Sequence, residues 1–67
     1  MEARWVVKSR YADGKVRLTR FLPKDKAQKQ FEKIGEKRPA RLLEYEGYCF
    51  KVLSMNKKAE DELRKTL

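Results

Sequence analysis

The chain has 67 residues, with 18 Lys or Arg against 10 Asp or Glu, one Cys, no His and a formal net charge of +8. One domain fits this length and two do not, and a domain this small buries only about 60% of the surface its unfolded chain exposes. Cys49 stands alone, so neither an intrachain disulfide nor a zinc cluster is expected, and the missing His removes the commonest general base near neutral pH. The expectation is a non-enzyme with no metal and no cofactor.

Apolar runs are short, the longest being Trp5-Val6-Val7, so neither a membrane span nor a secretory leader is expected and the expected compartment is the cytoplasm. Charged residues make up 42%. Such a fraction suits a disordered chain, but three Tyr, three Phe and one Trp in a regular apolar pattern predict a folded domain.

The first predicted element is a hairpin over 4–21. Asp13-Gly14 lies between two alternating runs, the signature of a type I′ turn in which both central residues take positive φ. That turn sets Tyr11 opposite Val16, Ser9 opposite Leu18 and Val7 opposite Arg20. Trp5, Val7, Tyr11, Val16 and Leu18 then form a core face. The other face carries Arg4, Val6, Lys8, Arg10, Arg17, Thr19 and Phe21, with Lys15 near the turn.

A helix over 23–34 follows. Pro23 suits its first position, where a missing N–H costs nothing. Ala27, Phe31 and Ile34 make one apolar stripe, and Lys24, Lys26, Lys29 and Lys33 lie off it. Gly35 is expected to end the helix in a left-handed conformation. Residues 35–39 read as a basic loop.

A second hairpin spans 40–55 around Glu46-Gly47, which sets Tyr45 opposite Tyr48, Leu43 opposite Phe50 and Arg41 opposite Val52. Leu43, Tyr45, Tyr48, Phe50 and Val52 share one side. Glu-Gly is a weaker turn signal than Asp-Gly, and a slip of one residue exchanges the faces. Cys49 is expected as a half-buried strand residue. A C-terminal helix over 57–66 is predicted, with Asn56 as its N-cap, an apolar stripe of Ala59, Leu63 and Leu67, and Glu60–Arg64 and Asp61–Lys65 pairs.

The order ββαββα predicts a small single α+β domain over 1–67, an antiparallel four-stranded sheet with helices on one face. Exposed sheet edges leave a monomer or a homodimer open.

Charge is unevenly spread. Residues 1–22 carry net +4, 23–39 carry +3 and 40–67 carry +1. Clustered basicity is the footprint of a polyanion partner. The predicted polyanion site is Arg4, Lys8, Arg10, Lys15 and Arg17 on the hairpin, with Lys24, Lys26, Lys29, Lys37 and Arg38 assisting. Arg41 closes the basic run that begins at Lys37. Phe21, Tyr45 and Tyr48 are candidate partner-surface aromatics, because Phe stacks on unpaired bases and Tyr near a turn is a frequent interface anchor.

Two functions fit. One is a small, non-catalytic, basic nucleic-acid-binding module contacting mainly the phosphate backbone of DNA or RNA. The other is a protein-binding regulator or inhibitor that docks its basic face on an acidic surface of a larger nucleic-acid enzyme. In size and style the chain resembles small proteins encoded by phages and other mobile elements, which often act by binding a host nucleic-acid machine. No motif carries that resemblance, and no residue role comes from it.

Overall fold

A computed structural model describes residues 2–65. It contains β1 (Trp5–Arg10), β2 (Val16–Leu18), α1 (Lys24–Gly35), β3 (Ala40–Tyr45), β4 (Phe50–Met55) and α2 (Lys57–Lys65). The order ββαββα and the α+β class are as expected. The strands form one antiparallel sheet in the order β2-β1-β3-β4. The first strand of each hairpin is therefore central and the second is an edge. Burial follows that order: Val6, Val7 and Ser9 of β1 and Ala40, Leu42 and Leu43 of β3 are buried, whereas all of β2 is exposed, as is β4 up to Ser54.

The first hairpin differs from the predicted register by one residue. Tyr11 N donates to Lys15 O at 2.8 Å and Gly14 N to Tyr11 O at 2.9 Å, which closes a three-residue loop, Ala12-Asp13-Gly14. Only Gly14 takes positive φ (92°). Asp13 instead accepts the Lys15 N–H at 3.0 Å. The longer loop pairs Lys8 with Leu18, Ser9 with Arg17 and Arg10 with Val16. Side chains alternate at period two, so the shift exchanges the faces of β2. Val16 and Leu18 leave the core side, and Arg17 leaves the side of Lys8 and Arg10.

The second hairpin turns at Gly47-Tyr48 rather than Glu46-Gly47. Gly47 has φ 94°, and Glu46 N donates to Cys49 O at 2.9 Å. A glycine with positive φ at the first central position is the type II′ pattern. Tyr45 then pairs with Phe50 and Leu43 with Val52, a slip of two that keeps the predicted faces. Tyr48 sits in the turn, 86% exposed, and Cys49 is exposed beside it rather than half-buried in a strand. Between Leu42 and Leu43 the register shifts again, so that Leu42 meets Ser54 and Arg41 meets Met55. Leu53 is the extra residue of a β-bulge.

The core lies between the sheet and α1. Val7, Ala27, Ala40 and Leu42 are buried there, and Trp5, Leu22, Phe31 and Ile34 pack around them. The predicted stripe Ala27-Phe31-Ile34 is the inward face of α1. Pro23 is the N-cap residue, one position earlier than expected, and its carbonyl accepts the Ala27 N–H at 2.9 Å. Gly35 is helical rather than left-handed, and Glu36 caps the helix in right-handed conformation. A Cβ at Gly35 would stand 3.1 Å from Asn56 Nδ2, so the glycine makes room for that side chain.

Asn56 caps α2 as predicted, accepting the Ala59 N–H at 2.9 Å. Its Oδ1 also accepts Ala40 N–H at 3.0 Å, and its Nδ2 donates to Gly35 O and Arg38 O, both at 2.9 Å. One side chain thereby joins the end of α1, the loop, the start of β3 and the start of α2. From there α2 reaches the sheet face opposite α1, where Glu62 pairs with Arg10 at 3.3 Å and Leu63 lines a groove with Lys8, Arg41 and Val52. The helices thus divide between the two faces. The reason is the Asn56 knot, which starts α2 at the sheet's end rather than above α1. Residue 66 of the predicted helix and Leu67 of its stripe lie outside the described residues. Among the described residues, no helix is long and apolar enough to cross a membrane.

Candidate nucleic-acid interface

Most of the sheet face opposite α1 has no helix over it. Its floor is Val6 and Leu43, partners in the β1–β3 register, exposed by only 3% and 7%. Three aromatic rings gather on this face at the open end of β3. Phe21 lies 5.8 Å from Tyr45 and 6.3 Å from Phe50, and Tyr45 lies 5.2 Å from Phe50, between ring centroids. Phe21 and Phe50 are near-parallel at 9°. All three remain 36–47% exposed. Such spacings are normal for packed aromatic pairs, but a pair with this much ring in solvent also offers faces for stacking.

The rings meet because of topology. Tyr45 N donates to Arg4 O at 2.8 Å, and the Trp5–Leu22 bridge fixes the chain after β2, turning Phe21 to the side away from Leu22. Tyr45 and Phe50 are direct cross-strand partners. The Tyr45 hydroxyl donates to Gly47 O at 2.6 Å, tying its ring to the turn.

Cations flank the aromatic end. Lys8 and Arg41 are register partners on this face, and with Leu18, Phe50, Val52 and Leu63 they line its groove. Arg10 extends the row but is paired with Glu62. Val16, Leu18, Val52 and Leu63 are 47–54% exposed around it.

The predicted site residues separate into groups. Lys8 and Arg10 share the open face with Phe21 and Tyr45. Arg4 does not join them, because its guanidinium pairs with Glu2 and Glu44, both at 3.2 Å, and lies 5.3 Å from the Trp5 ring. Arg17 and Arg38 converge instead on Tyr11. Arg17 Nη1 donates to Tyr11 Oη at 3.0 Å, and the Arg38 guanidinium sits 4.3 Å over the Tyr11 ring. The Arg17 hydrogen bond, with the Arg38 guanidinium close by, holds the Tyr11 phenol below its ordinary value of 10. Lys15 is exposed at the first turn and Lys37 in the loop after α1. Lys24, Lys26 and Lys29 are exposed on α1. Tyr48 stands apart at the tip of the second turn.

Two members of the open face, Phe50 and Arg41, fall outside the predicted site. Their place follows from the β3–β4 and β1–β3 registers: the predicted second hairpin already puts both on the Tyr45 side, but nothing in it shows that this side continues the face of Val6 and Lys8.

No protein-family model, curated protein or solved structure matches the chain.

Proposed function

We propose that this domain is a non-catalytic module that binds single-stranded nucleic acid across the open face of its sheet. Bases stack on Phe21, Tyr45 and Phe50, and the backbone runs past Lys8 and Arg41. The observation that supports this reading is the exposed aromatic trio on a face whose flanking side chains are cationic. Every base has a π-face, and stacking on an aromatic side chain contributes roughly 1–3 kcal/mol per base without sequence preference. The cations add phosphate attraction, which falls with salt. A duplex hides its base faces, so it gains only the second contribution.

The exposed Val52, Leu18 and Leu63 around the trio also suit a protein partner, which makes protein binding an outcome of the same test. Fluorescence anisotropy with short labelled DNA and RNA strands, and with the matching duplexes, at two salt concentrations is the direct measurement. The expected result is tighter binding of single strands than of duplex. Phe50→Ala should weaken single-strand binding about fivefold or more, with folding retained because Phe50 lies on an exposed edge strand. No detectable binding at low salt overturns the reading. Recovery of one stoichiometric protein after nuclease treatment, through a face that Phe50→Ala disables, assigns the surface to a protein instead.

A further inference from the structure

We propose that Tyr11, Arg17 and Arg38 form a second anion site, separate from the open face, that takes a phosphate group. The three side chains come from three fixed stretches of backbone. Tyr11 closes the first hairpin through both its N–H and its carbonyl. Arg17 is the middle residue of β2, paired with Ser9. Arg38 has its N–H bonded to Ile34 O at 3.2 Å and its carbonyl held by Asn56 Nδ2 at 2.9 Å. Their convergence is therefore set by the fold rather than by loose side chains.

Two guanidiniums meet on one neutral phenol, with no carboxylate partner for either among the described residues. Arg4 and Arg10, by contrast, are ion-paired. Gathering like charges costs Coulomb energy, and an anion between them reverses the sign of that cost. Each guanidinium has five N–H donors, of which Arg17 gives one to Tyr11, and the Tyr11 hydroxyl still has its own proton to donate. A tetrahedral phosphate matches such a set, since its several oxygens can be held by two planar forks at once. Asp13, the nearest acid to Tyr11 and Arg17 along the chain, takes the Lys15 N–H on one oxygen, and among the described residues neither it nor Glu36, two residues before Arg38, pairs with either guanidinium.

This site does not rest on the open-face reading. The Ser9–Arg17 pairing puts Arg17 on the sheet side that faces α1, at the turn end of β1, whereas the aromatic trio lies on the other side at the opposite end. The phosphate could be the end group of an oligonucleotide or free inorganic phosphate.

The test titrates inorganic phosphate into the full chain in phosphate-free buffer. The readouts are the guanidinium Nε–Hε signals of Arg17 and Arg38 and the ring carbons of Tyr11. The expected result is a saturable shift of all three with one concentration dependence. Arg17→Gln should abolish the Arg38 shift, and Arg38→Gln that of Arg17, while the charge-matched Lys33→Gln and Lys57→Gln variants leave both. Circular dichroism confirms that each variant folds, and Tyr11→Phe, which keeps the ring, should weaken the site without removing it. A second arm compares 5′-phosphorylated with 5′-hydroxyl strands. A gain of about fivefold for the phosphorylated strand identifies an oligonucleotide end as the source. Equal affinities alongside saturable phosphate binding identify the free ion. Shifts that drift without saturating, or that the control variants reduce as much as Arg17→Gln does, overturn the proposal. Open-face variants leave this titration unchanged, so the two readings fail separately.

Discussion

At the scale of single residues, Asn56 contributes more than its capping position implies. It accepts two backbone N–H groups and donates to two carbonyls, in a half-buried position where lost partners go unreplaced. Asn56→Ala should cost about 2–4 kcal/mol, since several part-buried groups lose their partner together. Asn56→Asp is the sharper test. Aspartate is as good an N-cap, but it turns the donor that serves Gly35 and Arg38 into a second acceptor. Urea denaturation at neutral pH should place Asp near Ala. A wild-type midpoint for Asp would reduce the role of Asn56 to its accepted bonds from Ala59 and Ala40. Tyr11 gives a pH-dependent counterpart. Arg17 and Arg38 favour its phenolate, so the folded-state pKa lies below the unfolded value. The linked stability is fully present only above that unfolded value, near 10, and is lost as pH falls through the folded one. Carbon-labelled tyrosine NMR should show Tyr11 titrating below 10, and Arg17→Gln should move it upward.

At the scale of elements, the two turns decide which residues reach the surface. Element order, the α1 stripe and the Asn56 cap were legible because they depend on local periodicity and local hydrogen bonds. The registers were not. Asp13-Gly14 reads equally as a two-residue turn or as the end of a three-residue loop, and one extra residue moves Leu18 from the core side to the open side. Sheet order was also illegible, since the β1–β3 pairing joins residues far apart in the chain and no turn specifies it. Both failures fall on the candidate site: Arg17 left the basic face, and Phe50 and Arg41 joined the open one. The observed register has a measurable consequence. Leu42→Ala should destabilise the fold by about 2–5 kcal/mol, because Leu42 is buried under α1. Leu18→Ala should cost under about 1 kcal/mol, because Leu18 is 54% exposed. Equal losses would restore the shorter turn.

At the scale of the whole molecule, a net charge of +8 does not act as one surface. The cations do not share one side: Lys8, Arg10 and Arg41 lie on the open face, Arg17 and Arg38 at the Tyr11 corner, and Lys24, Lys26 and Lys29 on α1, with others elsewhere. The extents are 36 × 24 × 18 Å, and a short strand laid on one face cannot touch them all. Salt dependence measures how many cations engage. Single strands release counterions with a slope of roughly −0.7 per neutralised phosphate in a plot of log affinity against log salt. Lys8 and Arg41, with Arg10 if Glu62 releases it, predict a slope of roughly −1.4 to −2.1. Ten cations engaged at once would give roughly −7. Replacing Lys8 and Arg41 with Gln should flatten the slope by roughly 1.4, whereas the same change at Lys24 and Lys26 should leave it in place. A steep slope that falls equally with either pair would mean the strand wraps the domain, and the open face would then be one stretch of its path rather than the site.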